Sequence, residues 1–359
     1  MSFFSHLFDS PSYLQLPIFG LDISDRSFKY IKLAKAARGF YVEDYGDGAF
    51  PAGLVANGVV GNEARLAEVL HQALSGKPYR HAALSLPEEK GFVRTIHMPR
   101  IAPEELREAL TLQMEEHIPL PPDDIAFDYH VLPGHNEQTM DVLIAAFPAS
   151  LLAGYIHVAE QAGLVLVALE IESQAIARAV IPPAEQQNAV LVIDIGLTRT
   201  SFLFARGGYA QMTSTIPLGG ETMHTAIAKN LSVDRAKAEQ LKIQHGLSRA
   251  HDAKPVFEAL LPIVQKIKEE IQRRAKYWLH ETSEHQKTKG SGAISRVYLC
   301  GRDANLIGLP RHLSSQLGMP VEIANVWSNT IENSSYIPEI EFRDSLGYAT
   351  SIGLALGTM

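Results

Sequence analysis

The stretch VLVIDIGLTRTS, residues 190–201, holds the chain's most suggestive chemistry. Leu191, Val192, Ile193 and Ile195 form a short apolar run of the kind a buried strand needs. Asp194 interrupts it, and a carboxylate there is costly unless a partner, a metal or bound water compensates it. Gly196 allows positive φ or a close backbone approach. Thr198, Thr200 and Ser201 add hydroxyls. A tight turn at a strand end, with free N–H groups and one carboxylate, suits a phosphate carrying Mg²⁺. The same residues also fit an ordinary Asp-x-Gly hairpin turn.

The elements around the turn decide what it belongs to. In a Rossmann or Walker-type loop the glycine turn opens a helix. Here Ser201–Ala205 is β-like again, the turn Arg206-Gly-Gly-Tyr209 follows, and Ala210–Ile216 is a third β-rich run. The same strand, turn, strand, turn, strand unit occurs near the N-terminus. Ile18 leads to Asp22 and Ser27, then Phe28–Leu33, a turn at 37–39, and Phe40–Tyr45. Asp22 and Asp194 occupy equivalent places. A repeat this long reads as a duplicated domain with a nucleotide clamped between the copies.

The 359 residues suffice for two or more subdomains with their own cores. A charge of −8, from 32 basic and 40 acidic residues, argues against a nucleic-acid partner. One cysteine, Cys300, excludes an internal disulfide and a multi-cysteine metal site. The longest apolar tract, Val142–Val158, is broken by Pro148, Gly154 and His157 and is too short to span a membrane. The first fifteen residues lack the basic and apolar regions of a signal peptide. Phe3, Phe4, Leu7 and Phe8 read as a small docking patch, a loose terminus or an interfacial anchor.

Further along, helices are expected at Glu63–Ala73, Pro103–His117, Ala149–Gly163 and Ser173–Val180. Pro119, Pro121 and Pro122 stop the second of these. Strands are expected at Ala82–Leu86, Phe92–Met98, Phe127–Leu132, Val142–Phe147 and Leu164–Glu170. Residues 82–165 thus read as a small β-rich insert with two helices. An edge or groove there could pair with an extended peptide, with helix Pro103–His117 as one wall. Beyond the central unit, helices are expected at Met223–Leu231, Val233–Gln244, Pro255 to about His280, Pro310–Leu317 and Leu346–Leu356. The long one carries a stripe of Phe257, Leu260, Leu261, Val264, Ile267, Ile271 and Trp278. Glu269–Arg273 and Glu270–Arg274 are i,i+4 pairs on its other side. A polar loop follows at 282–292, and strands at Arg296–Cys300 and Val321–Ala324.

This arrangement resembles the actin-like ATPase fold: α/β, duplicated, ribonuclease H-like and two-lobed, with a small inserted subdomain. More closely it resembles the PilM family of type IV pilus assembly, relatives of FtsA. The resemblance rests on Gly20-Leu-Asp-Ile23 with Phe28-Lys29, and on Pro103–Leu106 through Glu115–Pro119 with Asp124 and Phe127–Tyr129. It rests also on Asp194-Ile-Gly196 with Ile216–Glu221, and on Gly308–Pro310 through Leu317–Val321 with Ala324-Asn325. It implies a tail at 1–16, a first lobe from 17–81, 166–188 and 345–359, an insert at 82–165, and a second lobe at 189–344. Within the second lobe, 221–293 would be helical.

The resemblance implies a cytoplasmic scaffold, peripheral at the inner membrane. It would hold the cytoplasmic tail of a PilN-like membrane protein at the insert, with other pilus assembly proteins or copies of itself as further partners. ATP with Mg²⁺ would lie between the lobes. Asp22 and Asp194 would hold Mg²⁺ through its water shell. Ser24, Ser27, Gly196, Thr198 and Thr200 would line the phosphate turns. Lys29 would meet phosphate, or be a solvated strand lysine. Glu172 would orient a water for attack on the γ-phosphate, or be a plain helix N-terminal acid. Glu239 and Lys242 would touch ribose or base, or form a surface pair. Gly219 and Gly220 would lie beneath the nucleotide, or simply enter a helix. Gly301 and Arg302 would form the adenosine turn.

Two turns depart from the family pattern. Ser24-Asp25-Arg26 stands where glycine and small hydroxyl residues are usual, and Asp25 adds negative charge. The adenosine turn has a single glycine, Gly301. The departures imply at most weak ATP hydrolysis. The alternatives are a working Mg-dependent ATPase, or a small-molecule kinase. Against the kinase, no glycine-rich loop with a following Asp occurs in the N-terminal lobe.

Overall fold

The computed structural model describes residues 16–36, 39–133, 138–285, 292–330 and 336–359. The aromatic N-terminal patch, most of the turn at 37–39 and residues 286–291 of the expected polar loop lie outside them.

Three antiparallel strands open the chain: β1 (Ile18–Ile23), β2 (Ser27–Lys35) and β3 (Phe40–Ala49). A small hairpin, β4 (Val55–Ala56) and β5 (Val59–Val60), leads to α1 (Glu63–Leu74) and β6 (His81–Leu86). Then come β7 (Phe92–Pro99), α2 (Pro103–His117), β8 (Ile125–Val131) and β9 (Thr139–Pro148). Helix α3 (Ala149–Gln161), β10 (Val165–Ile171) and α4 (Glu172–Val180) complete the first half.

The second half repeats the plan with β11 (Ala189–Ile195), β12 (Thr200–Arg206) and β13 (Tyr209–Ile216). Helices α5 (Gly220–Leu231), α6 (Arg235–His245) and α7 (Lys254–His285) follow. The chain closes with β14 (Ile294–Cys300), α8 (Leu309–Leu317), β15 (Val321–Ile323), α9 (Phe342–Ser345) and α10 (Ala349–Gly357).

The duplication is visible in the sheets. One runs β10-β6-β1-β2-β3, the other β15-β14-β11-β12-β13, each with its first three strands antiparallel and the remaining two parallel. The registers agree as well: Asp22 pairs with Lys29, and Asp194 with Ser201. Each aspartate is therefore the penultimate residue of its first strand, one step before the chain turns.

The insert is smaller than expected. Strand β6 sits between β1 and β10 in the middle of the first sheet, and α3 packs on α1. Only β7, α2, β8 and β9 form the separate layer, a sheet ordered β7-β9-β8. Leu106, Leu110 and Met114 of α2 pack on one of its faces with Ile96, Val142 and Ile144. On α7, Leu260, Val264, Ile267, Ile271 and Trp278 are buried as expected, but Leu261 is 37% exposed and lies off the stripe. Glu270 takes both Arg273 and Arg274, so the expected Glu269–Arg273 pair is replaced.

The lobes meet along α4 and α10, which share a core with Ile31, Val192 and Leu203. Small residues make the approach possible. A Cβ on Gly353 would lie 1.8 Å from the carbonyl oxygen of Ala175. Gly353→Ala must therefore push the two helices apart. We expect a loss of roughly 2–3 kcal/mol, read as a lower urea midpoint with an unchanged slope; an unchanged midpoint would contradict this packing.

Candidate functional site: an interlobe cleft and an apolar groove

A cleft of about 750 Å³ opens between the lobes. It is lined by both Asp turns, the start of α4, parts of α5 and α6, and the turn after β14. Of the residues singled out from the sequence, Asp22, Ser24, Ser27, Lys29, Glu172, Asp194, Gly196, Thr198, Glu239, Lys242, Gly301 and Arg302 all line it. Thr200 does not: it is buried, and its hydroxyl donates to Leu218 O at 2.6 Å.

The first turn closes without glycine. The Ser24 N–H and hydroxyl both donate to Ser27 O, at 2.9 and 3.0 Å. Ser24 has no positive φ, so the missing glycine costs the turn nothing. Asp25 is buried and held by the Gly58 N–H at 3.1 Å and the Thr198 hydroxyl at 3.2 Å. Its charge is thus tied into the wall. Arg26 reaches across to Glu221 at 3.7 Å.

In the second turn, the Gly196 N–H donates to Arg199 O at 2.9 Å. Gly219 and Gly220 lie under this turn rather than on the cleft surface. The Gly220 N–H donates to Gly196 O at 3.0 Å, and a Cβ on Gly219 would sit 2.4 Å from that oxygen. They are the seat on which the turn rests. Gly301, at φ +87°, fits beside Asp194, where a Cβ would meet Oδ1 at 2.3 Å.

The two aspartates face one another. Asp22 accepts from the Ser85 hydroxyl at 2.8 Å. The Asp194 carboxyl keeps some access to the cleft, yet burial, then the charge of Asp22, push its pKa up to about 6 against the pull of Arg199 and Lys29. Such a pair attracts a divalent cation. Among the described residues no three His, Cys, Asp or Glu side chains are disposed to bind a metal directly. A cation here would be held through water and the ligand's own oxygens, as small hard cations often are. The hydroxyls, Lys29 and the glycine seat fit a phosphate chain.

Several residues central to the cleft carry no local sequence signal. Arg199 donates to Glu89 and to Glu172, both at 2.8 Å, and lies 3.6 Å from Asp25. Burial raises the pKa of Glu172 well above the usual carboxylate range, and that of Glu89 less, with Arg199 opposing both shifts. Glu88, raised by burial, accepts from the Ser173 N–H at 3.0 Å. At the other end Lys242 is ion-paired with Asp303, which lies against Gly220. His224 lines the same end with both ring nitrogens buried and unpartnered, and burial lowers its pKa. Glu172 is the first residue of α4, as the plain helix N-terminal reading has it, and it also lines the cleft.

A second concavity, about 440 Å³, lies between the insert and the first lobe. Ala126–His130 of edge strand β8 form one side, and Leu169–Ile171 of β10 with Gln174 and Arg178 of α4 the other. Leu86, Leu143 and Phe147 are also part of the lining. The Tyr209 ring lies 4.6 Å from that of His130, at 31°. Gln174 is fixed by two hydrogen bonds to the Ala210 backbone, at 2.7 and 3.2 Å. Helix α2, expected as a wall, lines no part of this groove, because its apolar face is spent on the insert's own sheet.

The family described as "Type IV pilus assembly protein PilM" matches residues 20–359, and the chain belongs to it. Among solved structures, a PilM-PilN type IV pilus biogenesis complex superposes with a TM-score of 0.78 at 24% identity, covering 96% of this chain and 99% of that one. The ethanolamine utilization protein EutJ from Carboxydothermus hydrogenoformans gives 0.55 at 17%, covering 94% and 88%. MreB5 of Spiroplasma citri bound to AMPPNP gives 0.54 at 15%, covering 88% and 93%. The fold is actin-like, as the sequence implied.

The raised pKa of Asp194 sets a pH test. Below about pH 4 the group is protonated folded or unfolded, and its burial adds no cost. From about pH 4 to about 6 the unfolded chain gives up this proton while the folded state keeps it, so stability is lost across that interval and levels off above it. Asp194→Asn should gain on wild type between pH 4 and 7.5 by on the order of 2 kcal/mol, followed by urea unfolding without divalent cations. A constant difference across that range would contradict the assignment.

Proposed function

We propose that this member of the PilM family is a cytoplasmic scaffold of type IV pilus assembly, peripheral at the inner membrane. In this reading it holds the N-terminal tail of a PilN-like membrane protein and carries ATP with Mg²⁺ between its lobes. The observation that carries the reading is the pairing of two separate concavities on one actin-like frame: a charged cleft and an apolar groove.

The groove suits an extended peptide. Strand β8 is a sheet edge, and edges offer unpaired backbone to an added strand. Apolar side chains beside it can take alternate side chains of the peptide. The Glu170–Arg178 ion pair and His130 supply polar ends. Among the described residues no helix is long and apolar enough to cross a membrane, so association through a partner's tail fits the chain. The insert of this scaffold is then the layer from β7 to β9, which binds the tail together with the first lobe.

The cleft suits a nucleotide. Ser24, Ser27, Gly196 and Thr198 would cradle phosphates with Lys29. Asp22 and Asp194 would hold hydrated Mg²⁺, which would neutralise phosphate charge there. Gly301, Arg302, Glu239 and Lys242 would face the nucleoside, and Gly219 and Gly220 would support the second turn. Lys242 would reach a ligand only by sharing or leaving Asp303. Glu172 is occupied by Arg199, which favours slow hydrolysis over a working ATPase. No feature of the cleft favours a kinase acting on a small alcohol.

The test is direct binding of the tail peptide of a PilN-like protein, followed by fluorescence anisotropy. Ala126 lines the groove on β8. Ala126→Trp should fill it and weaken the peptide by about tenfold or more, with a melting temperature close to wild type. Equal affinity in both proteins would place the tail elsewhere.

A further inference from the structure

We propose that Arg199 is the residue by which the interlobe cleft distinguishes a nucleoside triphosphate from a diphosphate. The inference rests on the nucleotide reading above and deepens it.

Arg199 belongs to the second phosphate turn, between Thr198 and the buried Thr200. Its partners Asp25, Glu89 and Glu172 all come from the first lobe. The guanidinium therefore crosses the floor of the cleft where the two turns face each other. Lys242, Asp303 and His224 mark the opposite, nucleoside end. A phosphate chain laid along the turns with its nucleoside at that end brings its terminal phosphate toward Arg199.

The ion pairs there are unbalanced. Three carboxylates contact one guanidinium, and Glu88 is buried beside them. Glu88 Oε1 and Glu89 Oε2 are buried without hydrogen-bond partners. Releasing Arg199 would strip Glu89 of its ion-pair partner, so the carboxylates of this floor resist the transfer. A terminal phosphate offers more charge and a fork geometry that guanidinium matches in two parallel bonds. It can take Arg199 from Glu89 without leaving the cation unpaired. A diphosphate, one phosphate shorter, leaves the knot in place. Arg199 thereby adds affinity for the triphosphate alone, while the carboxylates oppose it.

Opposite signs on the two sides of the knot separate this role from a structural tie. ATP and ADP would be titrated, each with Mg²⁺, into the full-length wild type, Arg199→Gln, Arg199→Lys and Glu89→Gln, with melting temperatures recorded. Wild type should prefer ATP. Arg199→Gln should lose about tenfold or more for ATP and less than about threefold for ADP, erasing the preference. Arg199→Lys should keep part of it. Glu89→Gln should bind ATP more tightly by about threefold or more and leave ADP unchanged. Should Arg199→Gln fail to fold, Glu89→Gln decides alone, and weaker ATP binding there overturns the proposal. If wild type binds both nucleotides and Arg199→Gln keeps their ratio, Arg199 is a structural tie and only this inference falls. If wild type binds neither but Glu89→Gln binds ATP, the carboxylates close the native cleft to both nucleotides and the proposal falls. If no form binds either nucleotide, the nucleotide reading falls and takes this inference with it.

Discussion

The close approach of α4 and α10 is the constraint on which the rest depends. Each helix follows the last strand of its own half, and the two are packed together between the sheets. Their contact tolerates no side chain at Gly353, and α10 comes equally near β1, where a Cβ on Gly20 would lie 2.0 Å from Ser351 O. Backbones this close fix the angle between the halves, because close-packed interiors deform little. That angle brings the ends of β1 and β11 face to face. Asp22 and Asp194 then converge without being neighbours in sequence, and the space left beside them is the cleft.

Charge inside the cleft follows from the same geometry. Two equivalent turns each deliver an aspartate, and the β6 end adds Glu88 and Glu89. The start of α4 adds Glu172. Buried carboxylates in such number need cations. The protein supplies Arg199 internally and leaves the Asp22–Asp194 pair facing the cleft. This division explains why the altered first turn does little harm. Asp25 adds negative charge to the sequence, but Gly58, Thr198 and Arg199 absorb it before it reaches the space a phosphate would occupy.

What was legible from sequence was local. A carboxylate inside an apolar run, followed by a tight turn, announces itself in a dozen residues, and both copies did so. Order in the sheets was not local. Ala82–Leu86 reads as a strand, but no pattern within it says whether it joins the first sheet or the insert; its partners on either side settle that. Leu261 fits the α7 stripe by spacing alone and misses it in angle. From sequence alone helix α2 is free to wall a groove, because nothing local names a partner for its amphipathic face; the partner is the insert's own sheet. Arg199 sits in the turn among the hydroxyls with nothing nearby in sequence to mark its role, since Glu89 is 110 residues away and Glu172 is 27. The Lys242–Asp303 pair was hidden for the same reason, spanning 61 residues.

The account stands on the claim that the facing aspartates make the interlobe cleft a metal-dependent nucleotide site. Calorimetric titration of ATP into wild type and Asp194→Ala, each with and without Mg²⁺, tests it most directly. The account predicts saturable binding to wild type with Mg²⁺, at least about tenfold weaker binding without it, and binding to Asp194→Ala that Mg²⁺ does not strengthen. Equal affinity in wild type and variant with Mg²⁺, or wild-type binding indifferent to Mg²⁺, would contradict it.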